Sequence, residues 1–148
     1  MKANELMIND WVLIDEPDKY AGAKAQIKSL RFHQKNDGQY FNVFISDSYG
    51  IVRREVFNED IKPIPLEKTH LTKNGFKVRE KTDDTEFYYY DCYEINVSFD
   101  EGLPENNIPP TTFLTIEFAE KSLCMPIEYV HELQQAMRFM GCDKEIVL

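Results

Sequence analysis

Lys62-Pro63-Ile64-Pro65-Leu66-Glu67-Lys68-Thr69-His70-Leu71-Thr72-Lys73-Asn74-Gly75-Phe76 decides how the chain is divided. Two prolines two apart resist a helix and hold residues 62–66 extended. Residues 67–74 then read as a short helix. Gly75 stands where a left-handed residue ends a helix, and Phe76 stands one further on, able to touch Leu71. A helix this short is marginal in water, so it is expected to bridge two halves. A domain boundary is placed near residues 63–76.

Charge changes character close to that boundary. The 148 residues carry 17 Lys/Arg and 26 Asp/Glu, a formal net charge of -9. Residues 1–81 hold 14 Lys/Arg against 12 Asp/Glu, whereas residues 82–148 hold 3 against 14. A wholly basic nucleic-acid binder is excluded, yet the acidity belongs to one half. Hydrophobic residues at 43% and charged residues at 29% exclude disorder and collagen-like structure. A chain this long buries a core without disulfide or metal support.

No apolar stretch approaches the ~20 residues that span a bilayer. The opening MKANELMINDW lacks the apolar region and small-residue cleavage site of a signal peptide. Cys92, Cys124 and Cys142 are odd in number and fit neither CxxC nor a disulfide framework. The expectation is a soluble cytoplasmic protein with reduced thiols and no membrane partner.

Upstream of the boundary the chain reads as short strands. Trp11-Val12-Leu13-Ile14 is a compact apolar run, followed by the turn cluster Asp15-Glu16-Pro17-Asp18. Ala23, Ala25 and Ile27 alternate with Lys24, Gln26 and Lys28. Asn36-Asp37-Gly38 and Asp47-Ser48-Tyr49-Gly50 read as turns around residues 40–45, and residues 51–57 supply another strand. Asn58-Glu59-Asp60 turns into the extended segment 61–66. About five short strands with tight turns predict a small, partly open barrel, with an SH3-like barrel as the closest common form.

Downstream, residues 76–80 and 86–93 flank the hairpin signal Thr82-Asp83-Asp84. Ile95, Val97 and Phe99 alternate with polar neighbours, as do Leu114, Ile116 and Phe118. The Pro/Gly-bearing loop 100–110 separates them. The main helix is predicted from Pro126 to Met140, with Ile127, Val130, Leu133, Met137 and Met140 as its apolar stripe and Gly141 as its stop.

Catalytic signatures are missing from the sequence. His33, His70 and His131 are scattered, with no zinc spacing, and His131 reads as a partly exposed helix residue. No GxSxG, HExxH, P-loop or GxGxxG occurs. Cys124, just before the predicted helix, reads as a buried structural thiol. Asp83-Asp84, Asp100-Glu101 and Glu117/Glu120 are pairs that an acidic chain yields by chance, and Asp100-Glu101-Gly102 lacks a calcium-loop pattern. Phe87-Tyr88-Tyr89-Tyr90 with Tyr93 is the most unusual composition. On a strand, Phe87 and Tyr89 share one face and Tyr88 and Tyr90 the other; core and cross-strand packing is the expected use of the cluster, with Tyr88 and Tyr90 as candidates for presentation to a partner. Lys19, Lys24, Lys28, Arg31 and Lys35, with Arg53-Arg54 on a later strand and Phe32 and Tyr40 nearby, are candidates for a phosphate-binding barrel face. Lys24 and Lys28 are expected on one side of their strand.

Three pieces of sequence are also familiar together: MKANEL (1–6), PIPLEKTHLTKNGF (63–76) and YVHELQQAMRFMG (129–141). They resemble a family of small uncharacterised bacterial proteins, often associated with prophage or other mobile elements. Members open with MKANELRIGN, carry a PIPLTEEWLLKFGF-like centre and end with a YVHQLQNLYFALTG-like helix. Here Met7 replaces the usual Arg, Asn9-Asp10 stands where Gly-Asn is typical, and Thr69-His70 stands where the family has Trp. The pieces cover about a quarter of the chain. The resemblance implies a two-part protein and assigns no catalytic residue.

The expected fold is therefore α+β. An SH3-like small β-barrel occupies 1–66. A linker helix, an antiparallel sheet and one C-terminal helix packed on it occupy 67–148. The expected function is non-enzymatic binding, without cofactor or metal. The partner is another protein met through the aromatic sheet or the C-terminal helix, a second copy through that helix included. Nucleic-acid binding by the barrel stays open beside it, as do an acidic mimic of nucleic acid and an enzyme whose site follows no motif.

Overall fold

In a computed structural model the chain divides into two compact units, Met1–Ile64 and Pro65–Leu148. The structure describes residues 6–15, 20–32, 39–47, 50–90, 94–102, 106, 109–118 and 120–148. For 30–32, 39–42, 44–47, 50, 58, 118 and 121 it describes the backbone alone.

The N-terminal unit is one antiparallel sheet. Its strands are β1 (Trp11–Ile14), β2 (Lys24–Phe32), β3 (Gln39–Asp47), β4 (Gly50–Phe57) and β5 (Ile61–Pro63), in the order β4-β3-β2-β1-β5. A single 3-10 turn, Asn58–Asp60, leads into β5, and the Phe57 N–H donates to the Asp60 carboxylate at 3.2 Å. The apolar/polar alternation of the sequence sets the faces. Val12, Ile14, Ala25, Ile27, Val43 and Val56 are buried together with Leu6, Tyr20 and Ile61. Full burial of one such aliphatic side chain stabilises by roughly 1.5–3 kcal/mol. The sheet is open in its pairing, with β4 and β5 as its edges. A closed barrel is not what the pairing forms. A bulge at Lys28 shifts the β2–β3 register by one residue.

The C-terminal unit begins with α1 (Lys68–Lys73). Its stop follows the sequence reading. Gly75 has φ +84°, the Phe76 N–H donates to the Leu71 carbonyl at 3.1 Å, and the Gly75 N–H donates to the Thr72 carbonyl at 3.1 Å. Five antiparallel strands follow in simple succession: β6 (Lys77–Lys81), β7 (Thr85–Tyr90), β8 (Ile95–Asp100), β9 (Thr111–Phe118) and β10 (Lys121–Pro126). The helix α2 (Val130–Phe139) closes the order. Ile95, Val97, Leu114 and Ile116 bury one face of the sheet; Leu71, Phe76, Ile127, Val130, Leu133, Met137 and Met140 are buried with them. The class is mixed α+β, as expected.

The main helix begins four residues later than predicted. Pro126 ends a strand rather than opening a helix. Residues 121–126 pair with β9 one for one, and the Ile127 N–H still donates to the Thr112 carbonyl at 2.9 Å. The helix N-terminus forms where an acceptor exists for its orphan donors. The Glu132 carboxylate accepts from the N–H groups of Glu128 at 2.7 Å and Tyr129 at 3.0 Å. The apolar stripe of α2 is buried, along with His131, Gln134 and Ala136. It is therefore not a free face for a second copy, and Phe139, 73% exposed, is the large apolar side chain that α2 leaves outside.

Candidate functional site

The six candidate binding residues whose side chains are described do not form one surface. Lys24 is exposed on the face of its sheet opposite Ala25 and Ile27. Lys28 is not a free neighbour to it. Its ammonium sits at the bulge and donates to Asn9 Oδ1 at 3.0 Å. Arg53 and Arg54 are adjacent on one strand, so they point to opposite faces. Arg53 is exposed, between Ile51 and Glu55. Arg54 pairs with Val43 on the core side, its guanidinium 5.3 Å from the Tyr20 ring centre. The backbone register pairs Arg31 with Tyr40. The side chains of Arg31, Phe32 and Tyr40, and the residues Lys19, His33 and Lys35, lie outside the described ones.

Tyr88 and Tyr90, the candidates for presentation to a partner, lie on the inner face of their sheet. Tyr88 pairs with Val97 and is buried, its ring edge-on to Phe99 at 5.7 Å. Tyr90 pairs with Ile95 and lies 5.2 Å from Phe76, with the Lys144 ammonium 5.7 Å from its ring centre. The pair turned outward is Phe87 and Tyr89, which lie opposite Ser98 and Asn96. Alternation was read correctly as two faces; the apolar partners on β8 decide which one is core. Cys124 is exposed, not buried, because the short edge strand turns it away from the helix side. His131 is buried, not partly exposed. His70 is buried too, and its Nδ1 accepts the Glu67 N–H at 3.1 Å, so it serves as a cap for α1.

A different set of residues converges at one end of the C-terminal sheet. The register aligns Lys81, Glu86, Phe99, Thr112 and Ile127 across five segments of the inner face. Glu86 is the hub. Its carboxylate pairs with the Lys81 ammonium, pairs with Lys68 at 3.1 Å, and accepts the Tyr88 hydroxyl at 3.0 Å. Those three donors, Lys81 foremost, hold the Glu86 carboxyl down at about 2, well below the ordinary carboxylate range. Burial first, then the bond to Glu86, pushes the Tyr88 hydroxyl up. The Lys68 ammonium also rests 5.8 Å from the Phe99 ring centre.

Beside this network opens a cleft of about 700 Å³. Phe99, Ile127 and the prolines Pro109, Pro110 and Pro126 give it apolar walls, and Asp100, Glu101 and Glu128 line it with carboxylates. Residues 100–102 beside it are held locally: Asp100 Oδ1 accepts the Gly102 N–H at 2.8 Å, and the Glu101 N–H donates to the Asp84 carbonyl at 2.9 Å. No group of three or more metal-ligating side chains gathers among the described residues. Part of this site was visible in the sequence. Glu86 is a lone carboxylate at the same alternation as Tyr88 and Tyr90, which marks a charge on a buried face in need of partners. Its partner Lys68 comes from a helix eighteen residues earlier, and no local pattern points there. No helix of the described residues is long and apolar enough to cross a membrane. Comparison with protein families, with curated proteins and with solved structures finds no match to this chain.

Proposed function

We propose that this chain is a non-enzymatic binding protein whose C-terminal unit takes a cationic segment of another protein in the Phe99 cleft. The carrying observation is the lining itself. An aromatic ring and three prolines offer rigid apolar walls, and three carboxylates stand over them. An extended segment bearing Lys or Arg fits both parts: the aliphatic stem lies on the walls and the charged head meets the acids. Lys68 against Phe99 is an internal example of a cation seated on that ring. The acidity of the C-terminal half adds long-range attraction for such a segment. An accessory role of the mobile-element kind is part of the same proposal, supported by the resemblance of the three sequence motifs. A cytoplasmic setting belongs to it as well, supported by the free, exposed thiol of Cys124. We further read the N-terminal unit as an SH3-like barrel. Its support is the five-strand order in which β5 returns beside β1.

The test is an array of otherwise identical peptides differing in Lys/Arg content. Wild type is expected to retain the Lys- and Arg-bearing members, less so as salt rises. Phe99→Ala is expected to weaken retention by about tenfold, in the range of an aromatic anchor. The triple change Asp100→Asn, Glu101→Gln, Glu128→Gln is expected to remove its salt dependence. Retention independent of all four residues refutes the cleft as the site.

A further inference from the structure

Lys68 reaches the Phe99 cleft from α1 rather than from the sheet. Its ammonium stands where two attractions meet, the Glu86 carboxylate at 3.1 Å and the Phe99 ring centre at 5.8 Å, and its side chain lines the cleft. Nothing in α1 asks for a cation at this position. The first turn of a helix favours acids over bases. Other groups close the two ends of α1: the Glu67 N–H goes to His70 Nδ1, and the Leu71 carbonyl takes the Phe76 N–H.

Glu86 does not depend on Lys68 for its charge. When Lys68 leaves, the carboxylate keeps the Lys81 ammonium and the Tyr88 hydroxyl. The Lys68 side chain is 37% exposed, against 13% for that of Glu86. Lys68 is thus the mobile partner of the pair. It swings into water on a flexible stem and regains rotamer freedom, while Glu86 stays in place. What it leaves behind is an aromatic face and a fixed carboxylate beside an open cleft, a complete seat for one cation.

We propose, resting on the reading that the Phe99 cleft takes a cationic segment, that Lys68 is a resident competitor in the cation seat and that an arginine of the segment displaces it. A ligand lysine exchanges like for like with Lys68 and gains nothing at the seat. A guanidinium lies flat on an aromatic ring and meets a carboxylate with two parallel N–H groups, so it takes Phe99 and Glu86 together better than an ammonium does. The competitor also sets a threshold. Being tethered, Lys68 is present at the seat at an effective concentration that free cations do not reach. Only a segment that also makes contacts along the proline walls and with Asp100, Glu101 and Glu128 overcomes it.

The test titrates two labelled peptides, identical except for one Arg or Lys, with the full chain and its variants. Wild type is expected to prefer the Arg peptide by about three- to tenfold, the range of a partly exposed cation–π contact. Lys68→Ala is expected to tighten both peptides by a similar factor, because the same competitor is removed for each. Lys68→Arg keeps the charge and strengthens the competitor, so it is expected to weaken both. That order separates competition from the plain loss of a positive charge, under which Lys68→Arg binds as wild type does. In wild type, proton NMR should find the Lys68 Hε resonances shifted upfield by the Phe99 ring, and the shift should vanish as the Arg peptide saturates. The proposal is overturned if Lys68→Ala binds no tighter, if Lys68→Arg binds no weaker, if the Lys peptide matches the Arg peptide, or if Lys68 keeps its shift at saturation. Weakened binding by Phe99→Ala then still keeps the cleft as the site. If neither wild type nor Lys68→Ala binds either peptide, the cleft reading itself fails and the competitor with it.

Discussion

Asn9 sits at φ +72°, in the left-handed region that glycine occupies without cost and asparagine tolerates. Its N–H donates to the Ile27 carbonyl at 2.7 Å, and its Oδ1 takes the Lys28 ammonium. The conformation thus joins the entry of β1 to the bulge of β2. Asn9→Gly keeps the backbone and loses one half-exposed hydrogen bond. It is expected to change stability by less than about 1 kcal/mol. Asn9→Val loses the same bond and adds β-branched strain, for a loss of about 2 kcal/mol. Urea midpoints of the two variants at equal slope measure the difference. Glu86 carries the second prediction at this scale. Its folded carboxyl titrates at about 2, below the ordinary 4.5. A depressed acid stabilises the fold above its unfolded pKa. That contribution is full above about pH 5 and fades as pH falls through 4.5 toward 2. Carboxyl NMR should place the Glu86 midpoint near 2 in wild type and higher in Lys81→Met. A midpoint in the ordinary range in wild type would mean that the ion pairs with Lys81 and Lys68 do not form in solution.

Both helices end in the same way. In α2, as in α1, a glycine is left-handed: Gly141 has φ +83°, the Cys142 N–H donates to the Met137 carbonyl at 2.8 Å, and the Gly141 N–H donates to Arg138 at 2.9 Å. Cys142 and Met137 are both buried, as are Phe76 and Leu71. Nothing crowds the missing Cβ of Gly141, so Gly141→Ala tests conformation alone. A loss of about 1 kcal/mol is expected, and Gly141→Asn should recover part of it. Glu132→Gln at the other end should cost about 1 kcal/mol, because its carboxylate serves two N–H groups. Thermal unfolding measures all three variants. These stops were legible because glycine at a helix end has one physical use. The start of α2 was not legible. Proline suits a first helical turn and an edge strand equally well, and only the partner strand β9 chooses between them. The faces of β7 were half legible in the same sense. Period two separates Tyr88 and Tyr90 from Phe87 and Tyr89, but burial is decided by Val97 and Ile95 across the ladder. The cleft was least legible, since its walls come from β8, β9, the loop before it and the segment before α2.

Charge is the property whose meaning depends most on where the chain is cut. Counted to residue 81, the first part is slightly basic. Counted by the units that form, Met1–Ile64 has 9 Lys/Arg against 10 Asp/Glu, and Pro65–Leu148 has 8 against 16. The difference lies in residues 65–81, where Lys68, Lys73, Lys77, Arg79 and Lys81 of α1 and β6 outnumber Glu67 and Glu80, and two of the lysines already neutralise Glu86. The N-terminal unit therefore lacks the net positive field that gathers nucleic acid. Its described basic side chains are also dispersed: Lys28 is tied to Asn9, Lys62 pairs with Asp15, Arg54 lies on the core side over Tyr20, and Lys24 and Arg53 remain on the outer face. Among the described side chains this leaves two separated cations on the outer face, which neutralise about two phosphates. A labelled single strand of about 20 nucleotides should therefore show no change in anisotropy with the full chain at about 50 mM salt, where phosphate contacts count most. Lys24→Glu with Arg53→Glu should leave that null result unchanged while the peptide retention of the cleft persists. A salt-sensitive signal that this double variant abolishes would instead assign the outer face of the N-terminal sheet to nucleic acid. The acidic C-terminal unit would then be the part that limits its affinity.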